Sequence, residues 1–142
     1  MERNPDYKVN VLLLALIVID LVLSVWGFFF PDLWFRFWHD APRVDPQGLL
    51  QRCAANWTAF FLFQLIAFFK WKRQPWWLVL VAGMRFGDIF TDVTFSLLCS
   101  SLSVAGRVAF PLAGAGNLVF GLLLLRFYRM ETSRQQALAA SH

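Results

Sequence analysis

Charged side chains interrupt two of the long apolar runs in this sequence. Asp20 lies between VLLLALIVI and LVLSVW, and the run AGMRFGDIFTD carries Arg85, Asp88 and Asp92. In surroundings without water, each ionised side chain costs at least about 2.5 kcal/mol unless it is paired, hydrated or protonated. These four residues are therefore candidates for an internal ion pair, for a site that handles protons or cations, or for a polar ligand pocket.

The three charged residues of the later run share one face of a helix. Arg85, Asp88 and Asp92 follow the spacing i, i+3 and i+7, which places them along one stripe at about 100° per residue. Two amides, Gln64 and Asn117, stand near the middle of two further apolar runs. Because apolar surroundings offer these groups no partner, we expect these five residues and Asp20 to turn inward and bind to one another.

Neighbouring residues predict close contact between these runs. Asn56 precedes Gln64 by eight residues, a spacing that predicts one helix face for both amides. Gly114 and Gly121 flank Asn117, and small residues let membrane helices approach closely. The expected arrangement is a bundle in which these charged and amide residues lie at a similar depth near the middle. We call this layer of residues the polar level.

The charges at this polar level do not balance. With Arg85 as the central cation and Asp20, Asp88 and Asp92 around it, three carboxylates face one guanidinium. A dry site would not hold two excess negative charges, so one or two carboxylates should be protonated, bind a cation or face water. Pairing of Arg85 with Asp88 and Asp20 simply to fix helix register is the structural alternative. Proton or cation handling, and a pocket for a lipid, quinone or other small ligand, stay open.

The composition is that of a membrane protein. Of 142 residues, 58% are hydrophobic and 18% are aromatic, and the mean hydropathy is +0.54. A soluble domain of this size would expose too much apolar surface at that composition. The 16 Phe and 7 Trp are typical of side chains that face lipid and the membrane interface. Membrane lipids are therefore expected partners.

Four apolar runs are long enough, or nearly so, to cross the roughly 30 Å of hydrocarbon in a bilayer. They cover residues 9–30, 54–69, 76–99 and 108–125. Strands of a membrane barrel would have about 10 residues of alternating polarity, which these runs lack. We therefore predict an all-α, polytopic membrane protein, a four-helix transmembrane bundle that forms one domain over residues 1–142.

The first outer connection, residues 31–53, is too long for a tight turn. Its segment LWFRFW is amphipathic and aromatic, which predicts a short helix lying in the membrane interface. His39 and Asp40 follow, above the outer end of the helix that carries Asp92. Whether the protein is an enzyme is uncertain, and the sequence favours a non-enzymatic role. If a catalytic site exists, His39, Asp40 and Asp92 are its candidate residues.

The distribution of Lys and Arg predicts the orientation. Four, Arg36, Arg43, Arg52 and Arg107, lie on one side of the predicted bundle. Eight lie on the other side, in the two termini and the second connection: Arg3, Lys8, Lys70, Lys72, Arg73, Arg126, Arg129 and Arg134. Because positive charges concentrate on the cytoplasmic side, both termini are predicted to be cytoplasmic. The compact chain and short connections are typical of the bacterial inner membrane.

Several function classes lack their motifs here. The sequence has no nucleotide-binding loop and no GxSxG, HExxH or CxxCH motif, and no basic-aromatic patch of the kind that binds nucleic acid. Cys53 and Cys99 fall near the outer ends of two helices, so a disulfide is geometrically feasible, although simple packing is the commoner use of such thiols. Without a Cys/His cluster we predict no metal site. No cofactor is predicted, and a quinone or a lipid is the ligand left open.

Four segments carry a family resemblance: WGFFFPDLW at the exit of the first helix, RCAANWTAFFLF at the start of the second, AGMRFGDIFTD in the third and GAGNLVFGLLLL in the fourth. In these the chain resembles the DoxX-like group of small four-helix membrane proteins. The resemblance implies an accessory role, because members are often accessory membrane subunits of oxidoreductase systems. The load of buried acids departs from a plain DoxX pattern, and no active-site residue carries over.

Three functions fit this sequence. The favoured function is an accessory or assembly subunit of a larger membrane complex. The polar level would then hold the helices of the chain together, and other subunits or further copies of the chain would be its partners. A proton-coupled transporter of small molecules is the second, because a lone acid in the first helix is similar to the arrangement in small multidrug-resistance transporters. The third is a membrane enzyme that binds a lipid, sterol-like or quinone ligand in the polar core.

Overall fold

The computed structural model describes residues 5–141, and within that range the chain forms five helices. In chain order they are α1 (Pro5–Phe29), α2 (Pro31–His39), α3 (Leu49–Lys70), α4 (Trp76–Leu98) and α5 (Val104–Ala140). Arg3, which belongs to the predicted cytoplasmic charge, and the C-terminal His142 lie outside the described residues.

Three of these helices indicate a membrane protein. α1, α3 and α5 are long and apolar enough to cross a bilayer. α4 is of similar length, 23 residues, but its apolar stretch contains Arg85, Asp88 and Asp92. The prediction of an all-α chain is therefore confirmed for the described residues, and three of its helices are candidate membrane spans.

The described helices extend beyond three of the apolar runs. α3 begins at Leu49 instead of residue 54, because Asp45 and Gly48 build its start. α5 continues to Ala140, whereas the apolar run ends at residue 125. The polar segment after residue 125 is helical, and its Gln135 Nε2 donates to the Lys72 carbonyl oxygen at 2.8 Å. At 37 residues, α5 is about 55 Å long, which exceeds the thickness of a bilayer.

A carboxylate fixes the first turn of α3. Asp45 Oδ1 accepts from the Leu49 amide at 2.8 Å, and Oδ2 accepts from the Leu50 amide at 3.0 Å. Between them Gly48 adopts φ = 65°, a left-handed conformation that favours glycine. Asp45 thereby satisfies two amides that a helix start leaves without intrahelical partners.

We expect Asp45→Ala to lower the free energy of unfolding by about 1 kcal/mol, the usual loss when a capping side chain is removed. The measurement is a denaturation titration with SDS in mixed micelles. Asp45→Asn keeps one acceptor oxygen and should lose less than Asp45→Ala. Equal losses in the two variants would contradict the assignment of both oxygens to capping.

The helices pack as two pairs, α1 against α3 and α4 against α5. A buried apolar core joins the pairs near the connection between α3 and α4, through Leu13, Leu16, Leu78, Val81 and Leu124 among others. α2 lies at the opposite end, against α1 and α5. The two pairs are thus held together by apolar contact at one end, and by polar and aromatic contacts towards the other.

The glycines of α5 allow the close approach that the sequence predicts. A Cβ atom built on Gly121 would lie 2.5 Å from the Phe86 ring, and one built on Gly114 would lie 3.5 Å from the Asp92 Cβ. In contrast, Asn56 is exposed while Gln64 is fully buried, so these two amides do not share a face as predicted. Eight residues advance a helix by about 80° beyond two full turns, and that rotation takes Asn56 away from the interior.

Candidate functional site

A buried ion pair joins the two helix pairs. Arg85 Nη2 donates to Asp20 Oδ2 at 2.6 Å, and Nη1 is 3.4 Å from Asp20 Oδ1. The side chains are only 3% and 1% exposed. The Phe60 ring lies 5.3 Å from the Arg85 guanidinium carbon, a cation-π distance. The guanidinium of α4 is thereby held between α1 and α3.

Two amides extend this pair to all four long helices. Gln64 Nε2 of α3 donates to Asp20 Oδ2 at 2.5 Å. Asn117 of α5 accepts from Arg85 Nη1 at 3.5 Å through Oδ1, and its Nδ2 donates to Asp92 Oδ2 at 3.0 Å. The hydrogen bonds therefore run in one chain from Gln64 through Asp20, Arg85 and Asn117 to Asp92. The structure brings together every residue of the predicted ligand or proton site.

The remaining carboxylate, Asp88, is held less tightly. Its Oδ2 lies 3.5 Å from Arg85 Nη2, the nitrogen that already binds Asp20 at 2.6 Å. The Asp88 side chain keeps 17% of its surface exposed. Arg85 therefore binds mainly Asp20, and the Asp88 side chain faces open space beside this ion pair.

That open space is a cavity of about 400 Å³ between the two helix pairs. Small-molecule sites in proteins occupy roughly 300–1,000 Å³. Asp20, Arg85, Asp88 and Asp92 are the charged residues of its lining, and Asn117 adds an amide. The rest of the lining is mostly apolar and aromatic, so the cavity has a polar wall and an apolar body.

Three tryptophans line the cavity. Trp34 and Trp38 come from α2, and Trp57 comes from α3. The Trp34 and Trp57 ring centroids are 5.2 Å apart, and the Trp38 ring lies 5.5 Å from that of Phe110 on α5. The sequence analysis did not predict that these tryptophans line a cavity. Trp34 and Trp38 are four residues apart, so they share one face of the amphipathic segment, and this spacing is the signal that could have indicated it.

The candidate catalytic residues do not come together as a triad. His39 is the last residue of α2, and its Nδ1 lies 2.9 Å from the Ser101 carbonyl oxygen. His39 and Asp92 line a second cavity of about 260 Å³, which shares Trp34, Trp57 and Asp92 with the first. Asp40 follows the last residue of α2 in a left-handed conformation, is exposed, and lines neither of these cavities. The second cavity adjoins the first and adds lining residues from the segment 44–53.

No protein-family model, curated protein or solved structure matches this chain. The chemistry of the site therefore follows from its own residues.

Three buried polar atoms of the site have no hydrogen-bond partner within the described part of the chain. They are two donors, Arg85 Nε and Trp38 Nε1, and one acceptor, Gln64 Oε1. Cys53 and Cys99 are free thiols. Among residues 5–141, no group of three or more His, Cys, Asp or Glu side chains is placed to hold a metal ion. The cavity, with its polar wall and apolar body, is suited to holding an amphipathic small molecule by its polar end.

Proposed function

We propose that this protein binds a small amphipathic molecule inside the membrane, in the cavity between its two helix pairs. The observation that carries the proposal is the cavity of about 400 Å³, with aromatic walls and a polar face formed by Asp88, Asp92, Arg85 and Asn117. Ligand sites are typically concave and mostly apolar, with a few polar groups that fix orientation. The apolar body of the ligand would contact the tryptophans, and its polar end would reach the carboxylates.

The proposed membrane topology has four crossing helices, with α4 as the fourth beside α1, α3 and α5. In this topology α2 lies in the outer interface and both termini are cytoplasmic. It is supported by the burial of Arg85 against Asp20, because pairing lowers the cost of placing the charge of Arg85 among lipids. This is also the layout of the DoxX-like proteins that the sequence resembles. A bacterial inner membrane is the proposed location.

A structural role accounts for only part of the polar level. Gln64 and Arg85 both bind Asp20, and all three are almost fully buried, as residues that only hold the helices together would be. Asp88 and Asp92 have longer or neutral contacts and lie with Asp20 and Arg85 on the wall of a cavity, and joining the helices requires no cavity. If the polar level served only to hold the helices of an accessory subunit together, the cavity would have no explanation. Ligand binding accounts for the cavity.

Blocking the cavity tests the proposal. We expect the purified protein in detergent to bind at least one of three probes of the same shape, namely 1-aminoadamantane, 1-adamantanol and adamantane-1-carboxylate, with one-to-one stoichiometry. Ala113→Phe places a ring in the cavity, because Ala113 belongs to its lining. Binding measured by calorimetry should weaken by at least about tenfold in this variant.

The matched control is Ala115→Phe. Ala115 lies two residues further along α5, is exposed, and is not part of the cavity lining. It should bind the probes as the unsubstituted protein does. Failure of all three probes to bind, or equal binding by both variants, would overturn the proposal. Partner subunits that copurify in fixed proportion with the Ala113→Phe variant would then favour the accessory role.

A further inference from the structure

The negative charge of the cavity wall is concentrated on one helix face. Asp88 and Asp92 are one turn apart on α4, and both line the cavity. In the described part of the chain, Asp92 is bound by the neutral amide of Asn117. Asp88 has only the longer contact with Arg85, at 3.5 Å. The side of the wall away from Asp20 therefore carries two carboxylates with little compensation.

Arg85, the cation of the cavity lining, already binds a third carboxylate, that of Asp20. Arg85 contacts Asp20 through both terminal nitrogens, at 2.6 and 3.4 Å. The described lining holds Asp20, Asp88 and Asp92 against Arg85 alone. A positive charge brought into the cavity by a ligand would correct this excess, and charge-assisted hydrogen bonds to carboxylates are about twice as strong as neutral ones.

We propose that the occupant of this cavity is a lipophilic amine in its ammonium form, with its nitrogen held by Asp88 and Asp92. This inference rests on the proposed function and adds the charge of the ligand. The tryptophans and Phe110 supply aromatic faces, which attract an ammonium ion and pack against its apolar body. The two carboxylates supply acceptors for the N–H groups.

One observation points to a different polar group. Arg85 Nε and Trp38 Nε1 are buried donors without a partner in the described residues, and a hydroxyl or carboxylate oxygen would satisfy either one. However, the charge of Arg85 is already bound to Asp20 and the indole of Trp38 is neutral, so the two carboxylates on the same wall outweigh these donors. The ammonium, hydroxyl and carboxylate forms of one molecule separate these possibilities directly.

The test compares the three adamantane probes on the unsubstituted protein and on two variants. We expect 1-aminoadamantane to bind at least about tenfold more tightly than 1-adamantanol, and adamantane-1-carboxylate to bind most weakly. Asp92→Asn should remove most of the preference for the amine over the alcohol, and Asp88→Asn should reduce it. Both variants should lose far less affinity for the alcohol than for the amine, because an amide oxygen still accepts from a hydroxyl, and this retained binding shows that the cavity is intact.

Equal or tighter binding of the alcohol or the carboxylate, still blocked by Ala113→Phe, would overturn the ammonium assignment and leave the proposed function standing. Binding of no probe would overturn both. The ammonium group has two sources, a free amine or an amine-bearing lipid headgroup. Competition with 1-aminoadamantane by phosphatidylethanolamine, but not by phosphatidylglycerol, in nanodiscs assigns it to a lipid. Equal binding in the two lipids assigns it to a free amine.

Discussion

Arg85→Met is expected to lower the free energy of unfolding by about 3–5 kcal/mol, the range seen when one partner of a buried ion pair is removed. The substitution leaves the Asp20 carboxylate, which is 1% exposed, without the guanidinium that binds it at 2.6 Å. Only the amide of Gln64 remains to donate to it. Contacts of the guanidinium with Phe60 and Asn117 are lost as well. SDS titration in mixed micelles measures the change.

Two further variants make this result specific. Arg52→Met removes an arginine from an exposed position on α3 and should change stability by less than about 0.5 kcal/mol. Asp20→Leu combined with Arg85→Met removes both charges and should recover most of the loss, because apolar replacements of a whole buried pair are often neutral. A loss in Arg85→Met no larger than in Arg52→Met would contradict a buried ion pair that holds the two helix pairs together.

The residues of the polar level are predictable from sequence because apolar surroundings leave them few choices. A carboxylate such as Asp20, placed mid-helix among Leu, Val and Ile, must find a partner inside the protein. Helical spacing then puts Arg85, Asp88 and Asp92 on one stripe. The individual pairings were open, and the structure gives the main bond of Arg85 to Asp20 and the amide of Asn117 to Asp92. Those pairings depend on the rotation of each helix about its own axis relative to its neighbours. The periodicity of the sequence alone does not define that rotation.

The cavity and its tryptophans follow from tertiary packing, which a single sequence does not reveal. The main apolar core joins the helix pairs near the connection between α3 and α4, and the space towards α2 is bounded by Trp34, Trp38 and Trp57. Asn56 and the C-terminal segment show the same limit on a smaller scale. A spacing of eight residues is too coarse to fix a helix face, and the polar end of α5 is held by contacts such as that of Gln135 with Lys72.

Gly106→Ala is expected to lower the free energy of unfolding by about 1–3 kcal/mol, the usual cost of forcing an extra carbon into a packed contact. A Cβ atom at this position would lie 2.5 Å from the Trp38 carbonyl oxygen. That oxygen is part of the backbone and also accepts from the Ser103 amide at 2.9 Å, so it has little room to yield. The start of α5 and the end of α2 must separate instead.

The same substitution links packing to the proposed ligand site. Because α2 supplies Trp34 and Trp38 to the cavity, we expect Gly106→Ala to weaken probe binding as well as stability. Gly87→Ala is the matched control. Gly87 lies inside α4, and a Cβ atom there meets nothing within 4 Å, so its substitution should be neutral or stabilising by up to about 1 kcal/mol. If both variants are equally stable and bind the probes equally well, the close contact between α2 and α5 does not set the shape of the cavity.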